Sequence, residues 1–453
     1  MQMTFQTRLK PAAGRECWAV SSLLAATMLT WAGAACAQTT TDAYFPTGNT
    51  GYDQQLGVTV LSRLRPAYDA PGIHLGGFTI RPNLDQTIFD NSNVNGSSDS
   101  GASSRSWGSQ TAASVSGQSD WSRNSLAATV GVDHFQFFGL PSETYTDYNI
   151  GLSAGYTIGD SPLTASYSHQ SFHSLGTAIG TAKSDTPQLN ETDSGELSYT
   201  FNTGRFAITP TLDVSAYRFG DITSGGITQS QTSLDRKVIA GGVVTRYALT
   251  DESHLLFVFR GVDTIFDLSS ADGESSPNST SELFLTGLDF QAESVWRYSL
   301  LVGVENRSFA SDLYATETAP IAAATVVWTP TGVLTLTGTA SRTVEDPTSP
   351  GNDGFVLNQA RLVVDYELLR DVLLQARGGI QYVQYLQSGK QTSYSAGAGV
   401  TWLINRNLRL SLNEDYTTQS SADSVSADQA ALIEDQSGAY HQNLVAATLH
   451  IGF

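Results

Sequence analysis

From about Phe78 to Phe453, apolar and polar residues alternate with a period of two. In "VWRYSLLVGVENRSF", Trp296, Tyr298, Leu300, Val302 and Val304 fall on one face, while Arg297, Ser299, Gly303, Glu305 and Arg307 fall on the other. In "NLRLSLNEDY", Leu408, Leu410 and Leu412 oppose Arg409, Ser411, Asn413 and Asp415. "DVLLQARGGIQYVQY" sets Val372, Leu374, Ala376, Ile380 and Tyr382 against Gln375, Arg377 and Gln381. "VLNQARLVVDYEL" sets Leu362, Val364 and Tyr366 against Gln359, Arg361, Asp365 and Glu367. Side chains flip face at each residue of a strand, so the pattern predicts strands with one apolar and one polar face.

A soluble sandwich would show the same alternation. Length argues for a membrane barrel: the alternating runs often reach about 10 to 14 residues, against about 5–6 for soluble strands and roughly 9–11 for a tilted membrane strand. The polar faces carry many Arg, Asp and Glu, which suits a water-filled lumen. Connectors also alternate, with short ones such as "GDSP", "LTDES", "TPTG" and "INRN" and long polar ones at about 90–109, 174–190, 220–233, 269–280, 345–354 and 420–439. Short turns on one side and long loops on the other describe an all-β, antiparallel transmembrane barrel with short periplasmic turns and longer extracellular loops. Counting between connectors gives about 18 strands, with 16 open because the first hairpin (about Phe78–Asp120) and the second loop are the least regular.

The ends sharpen this picture. Arg8, Lys10 and Arg15 precede an apolar run from about Trp18 to Trp31, and Ala35-Cys36-Ala37 has the small-x-small form of a signal-peptidase site. Segment 1–37 therefore reads as a secretory signal peptide, 38–77 as a periplasmic N-terminal segment and 78–453 as the barrel. Both cysteines, Cys17 and Cys36, fall in the leader, so no thiol remains for a nucleophile or a metal site, and no disulfide holds the exported chain. The formal charge is −19, and the leader carries three basic residues and one acidic one, so removing it makes the remainder more acidic still. Such a surface opposes nucleic-acid binding. After the leader, no apolar run approaches the length of a membrane helix.

The last strand, "YHQNLVAATLHIGF", alternates Val445, Ala447, Leu449, Ile451 and Phe453 with Leu444, Ala446, Thr448, His450 and Gly452. A terminal Phe453 on such a strand looks like the signal read by the outer-membrane assembly machinery. Upstream, "RPAYDAPGIHLGGFTIRPNL" resembles the opening signature of the β-barrel porin type 2 family of Gram-negative outer membranes. Its "FDNSNV" (Phe89–Val94) departs slightly from the usual run of acids. "TYTDYNIGLSAGYTI", "VVWTPTGVLTLTGTASRTVEDP", "VDYELLRDVLLQARGGIQY" and "YSAGAGVTWLINRNLRLSLNEDYT" extend the resemblance over almost all of the chain after the leader. The resemblance implies a channel in the outer membrane, often encoded beside exopolysaccharide genes. It implies lipid, lipopolysaccharide, the secretion and barrel-assembly machinery and a polysaccharide as partners, with no cofactor. It brings no catalytic residues.

Other chemistry is weak. "GLSAG" (Gly151–Gly155) fits the Gly-x-Ser-x-Gly elbow, but that motif needs a strand–turn–helix, and here it lies inside an alternating strand. His169 and His173 have a helical zinc spacing, yet four strand residues span about 13 Å. The acidic loops lack a fixed calcium-ligand order. The polar faces are the candidates: Arg246, Arg260, Arg297, Glu305, Arg307, Arg361, Asp365, Glu367, Arg377, Arg409 and Asp415 line a lumen, with Asp213 beside them. Charges beneath a lipid face must pair or meet water, so they either set a pore's selectivity or cross-link a closed barrel. In "RLRPAYDAPGIHLGGF", Arg63, Arg65, Tyr68 and Asp69 are candidates for docking the N-terminus in the lumen. The functional expectation is a porin-like channel, with a closed structural or surface-interaction barrel as the alternative and a barrel hydrolase as the third.

Overall fold

In the computed structural model the described residues are 59–453, except 62, 97–103, 178–183, 251, 268–276, 293–294, 313, 347–353, 386–388 and 421–438. The expected leader, and the N-terminal segment up to residue 58, lie outside them.

Eighteen long strands of 12–15 residues carry the period-two runs. They are β1 (Phe78–Asn91), β2 (Ser106–Ser119), β3 (Ser125–Phe137), β4 (Tyr145–Ile158), β5 (Ser161–Ser174) and β6 (Gln188–Tyr199). Next come β7 (Phe206–Phe219), β8 (Arg236–Thr250), β9 (Ser253–Phe266), β10 (Ser279–Ala292), β11 (Trp296–Phe309) and β12 (Glu317–Thr331). The last six are β13 (Leu334–Glu345), β14 (Phe355–Leu369), β15 (Val372–Tyr385), β16 (Lys390–Leu403), β17 (Leu408–Gln419) and β18 (Tyr440–Gly452). Each pairs antiparallel with the next, and β18 returns to β1 from Asn83↔Gly452 to Asn91↔Leu444. Closure leaves no sheet edge, the condition for a sheet to lie in lipid.

The first hairpin is regular: β1 and β2 pair without a shift from Phe78↔Ser119 to Asn91↔Ser106. Its irregular look in sequence comes from small polar residues on β2, not from broken pairing. The register shifts fall beside short turns, at Ala248/Thr250, Trp328/Thr331 and Glu367/Leu369. There an extra residue adds the local twist a tight reversal needs.

Apolar rows such as Val130, Leu152, Leu212, Val302 and Leu362 stand exposed around the outside, where lipid would cover them. Aromatic pairs gather at the short-turn end: Phe78 with Trp121, Phe206 with Tyr247, Phe290 with Tyr298, and Trp296 stacked on Trp328 at 4.9 Å. Such a girdle marks one membrane–water boundary. With strands about 4.8 Å apart and tilted about 40°, the barrel is roughly 35 Å across.

Candidate functional site

The inward face is set by the same alternation. Arg246, Arg260, Arg297, Glu305, Arg307, Arg361, Asp365, Glu367, Arg377, Arg409 and Asp415 all sit at inward positions, with Asp213 among them. They form separate local groups rather than one network. Arg377 donates to Asp415 through Nε (2.7 Å) and Nη2, and to Gln375 Oε1 at 2.8 Å. Gln375 in turn donates to Asp365 at 2.8 Å. Arg260 lies 3.1 Å from Asp213. Toward the short-turn end, His254 and Asp289 are direct cross-strand partners, with Arg246 and Arg297 on the strands to either side. Arg361 is solvent-exposed, as are the inward-facing Ser153, Ser166, Gln170 and Ser395.

The N-terminal segment lies against the lumen base. Val60 donates its backbone N–H to Thr335 Oγ1 on β13 and packs on Leu373 of β15 and Leu403 of β16, with Tyr68 against the same cluster. Arg65 and Arg63 both reach Glu367 of β14, at 2.8 and 3.2 Å. Asp69 takes an ion pair from Arg409 of β17 at 3.1 Å and caps the turn by accepting from the Arg65 backbone N–H. The chain then turns outward through Gly72 and Gly76, both in the left-handed region, and enters β1 by way of a short strand, Ile73–Leu75.

A row of acids runs across the wall on the other side of the seam. His450, Asp85, Ala112, Asp133 and Asp147 are successive cross-strand partners on β18, β1, β2, β3 and β4. Asp133 faces Asp147 directly, an arrangement that is destabilising unless something compensates. Asp85 meets His450 Nδ1 at 2.6 Å, Asp147 meets His173 Nδ1 at 2.7 Å, and Asp133 accepts from Gln110. The candidate lumen residues did not include these acids, because Asp85, Asp133 and Asp147 lie far apart in sequence and only the register aligns them.

The opposite wall differs. Leu256, Val258, Leu283, Leu285, Leu301, Ala319 and Ile321, inward on β9 to β12, form one buried cluster with Val344 and Val356 from the tips of β13 and β14. Val344 and Val356 continue the outward rows of their strands, yet they are 1% and 4% exposed. The other face of the tip is buried too, with Phe355 and Leu357 packed on Val383 and Tyr385. Pairing of β12 with β13 ends at Ala322↔Arg342, so β13 is free to leave β12, while β14 stays paired with β15 as far as Phe355↔Tyr385. A hairpin tip buried on both faces has folded into the barrel.

Its acids confirm the direction. Asp346 lies 2.8 Å from Arg307 Nη1 on β11 and 3.4 Å from Arg236 Nε on β8. Five strand spacings, about 24 Å of wall, separate β13 from β8, and only an inward crossing brings these groups together. The 345–354 stretch, expected as a solvated loop, thus begins with the buried Glu345 and Asp346. The sequence carried one signal of this. In "LLFVF" (255–259), "LFL" (283–285) and the Leu301 position, both faces are apolar.

At the outer mouth, Phe89, Val94, Phe137, Tyr145 and Ala446 form a further buried cluster, with Leu140 and Leu175 against it. Glu143, on the turn between β3 and β4, is buried beside it, and burial pushes its carboxyl up to about 7 despite hydrogen bonds from Ser142 and Asn95.

Ser153 stands in the middle of β4, with no strand–turn–helix elbow around it. His169 and His173 hold different acids, Asp193 and Asp147, and no group of metal-ligating residues occurs among the described residues. Phe453 directly follows β18 and is exposed.

No curated protein matches the chain. Among solved structures it is similar in shape to OccK9 of Pseudomonas aeruginosa, with 10% identity, 83% of this chain and 98% of that one covered, and a TM-score of 0.46. A BenF-like porin from Pseudomonas fluorescens gives 10% identity, 84% and 100% coverage and a TM-score of 0.46. OccAB3 of Acinetobacter baumannii gives 11%, 84%, 100% and 0.45. The family model described as "Putative beta-barrel porin 2" matches residues 65–433. The closed 18-stranded barrel and that match together identify the chain as a member of this family, with the porin-like channel fold of an outer-membrane protein.

Proposed function

We propose that the protein is a diffusion channel for small hydrophilic solutes, with a preference for cations. One observation carries this reading: inward-facing polar residues on β4, β5, β14 and β16 are exposed, which requires water inside the barrel. The cation preference follows from the row Asp85, Asp133 and Asp147, whose side chains meet His450, Gln110 and His173. A row of carboxylates along an aqueous path favours cations. Single-channel recording of the purified protein in planar bilayers tests both parts. Discrete conductance steps and a reversal potential displaced toward that of potassium in a KCl gradient are expected. A folded but silent barrel overturns the reading.

Service to exopolysaccharide export or assembly is the finer form of the proposal, supported by the genetic setting of the family. It requires oligosaccharides to pass in liposome swelling, and their exclusion at every length removes it. The second reading, a closed structural barrel, is favoured by the inward hairpin, the N-terminal segment at the base and the cluster at the outer mouth.

A further inference from the structure

Beyond the pairing of β14 with β15, the hairpin tip is held by side-chain contacts of two different characters. Its apolar faces pack on β9 to β12 and on β15, which would hold any tip of similar shape. The ion contacts are more particular. The Asp346 carboxylate bridges two guanidiniums, with Oδ1 on Arg307 and Oδ2 near Arg236. Arg307 is steadied by Glu305 and by Ser281 Oγ, at 3.1–3.2 Å. Arg236 is 1% exposed, enclosed by the rings of Tyr217, Phe219 and Phe266 at 5.0–5.5 Å, and donates from Nη1 to the Leu234 carbonyl. Its Nε and Nη2 have no hydrogen-bond partner among the described residues. A buried charge set of this kind contributes little net stability compared with apolar packing, but removing one member is costly. It therefore fixes a position rather than strengthening the fold.

The neck of the hairpin is built for this placement. Gly354 has φ +118°, and a Cβ there would stand 2.4 Å from the Glu345 carbonyl oxygen. The chain thus passes close behind the two acids as it leaves the tip.

We propose that Asp346 is the positioning residue that sets the width of the passage, by pinning the hairpin tip across the lumen to Arg236 and Arg307. This rests on the channel reading above. With the pin in place, the tip fills the β8–β14 side and solutes are confined to the polar wall. Without it, the side of the tip that faces β8 to β12 is held by apolar packing rather than by ion pairs to Asp346, while β14 stays paired with β15, and larger solutes gain access.

The test uses Asp346→Asn, which keeps the shape and removes the charge, with Arg307→Gln as a second variant and Asp346→Glu as the conservative control. Folding is checked by heat-modifiable electrophoretic mobility. Liposome swelling with arabinose and raffinose reads the size limit. Reaction of a Val344→Cys thiol with a hydrophilic maleimide reads the tip itself, in a chain with no cysteine beyond position 36. In Asp346→Asn, raffinose entry is expected to rise at least threefold and thiol modification about tenfold, with Asp346→Glu near wild type. Unchanged raffinose entry and unchanged thiol modification, in whichever of Asp346→Asn and Arg307→Gln folds, overturn the proposal. Faster modification with no permeation of either sugar in any variant leaves the pin standing and sinks the channel reading instead.

Discussion

The two walls of the lumen are built from the same kind of strand, yet they solve opposite problems. On β15 to β18 and β1 to β7 the inward positions are mostly Ser, Thr, Asn, Gln and acids, and several are exposed. On β9 to β12 the inward positions around the middle of the strands include Leu256, Val258, Leu283, Leu285, Leu301, Ala319 and Ile321, and they are sealed by the hairpin tip. Alternation alone sets which face looks inward. What the inward face carries then decides whether water or protein fills the space beside it.

The largest expected effect comes from placing the same charge on both walls. Leu285 is 0% exposed in the apolar cluster, whereas Ser153 is an exposed inward residue of β4. Leu285→Asp should lose the packing of a buried leucine and leave an unpaired charge, about 3–5 kcal/mol or more, and lower the thermal midpoint sharply. Ser153→Asp should change stability by about 0.5 kcal/mol or less. Equal losses in thermal denaturation would erase the distinction between the walls.

Next is the N-terminal segment, which lies under the seam between them. Glu367 holds both Arg63 and Arg65 and is itself largely buried. Glu367→Gln should remove charge-assisted bonds of roughly 1.5–3 kcal/mol in total effect and expose the Arg63–Leu64 peptide bond to trypsin. Conductance should rise in the same variant. An unchanged cleavage pattern would show that the apolar contacts of Val60 suffice.

A smaller effect with opposite signs belongs to the polar wall. Asp133 and Asp147 are direct cross-strand partners of like charge. Replacing both with Asn should stabilise the barrel slightly, about 0.2–1 kcal/mol, while lowering the potassium-to-chloride permeability ratio several-fold. Loss of stability with no change in selectivity would assign these acids to structure.

Much of this was legible from spacing. The strand number, the side that carries the long loops and the inward placement of Arg377 or Asp415 follow from a period of two and from turn positions, which are local properties. The inward hairpin was not, because β13 and β14 read as ordinary amphipathic strands up to Glu345 and from Phe355. The parting of β13 from β12 is decided by partners far off in sequence: Arg236, Arg307 and the leucines of β9 to β11. The acid row was hidden for a related reason, since register, not sequence distance, aligns Asp85 with Asp133 and Asp147. The doubly apolar run "LLFVF" was the visible trace of a covered wall.

The most local expected effect concerns the outer mouth of the polar wall, and its sign can be worked out. Buried Glu143 keeps its proton up to about pH 7, whereas an unfolded glutamate loses it near 4.5. Between those values the folded mouth binds more protons than the opened one, so its stability falls as pH rises. The stabilisation is complete below about pH 4.5, declines through the interval and is gone above about pH 7. The backbone amides of 138–144 should therefore exchange hydrogen faster at pH 7.5 than at pH 5, after correction for intrinsic rates, by on the order of tenfold. Glu143→Gln, which keeps the hydrogen-bonding shape without a titrating proton, should flatten that dependence and leave the β9–β12 amides unchanged. If the dependence survives in Glu143→Gln, another group governs the mouth. If the apolar wall responds equally, the two sides of the barrel open as one unit and their independence is lost.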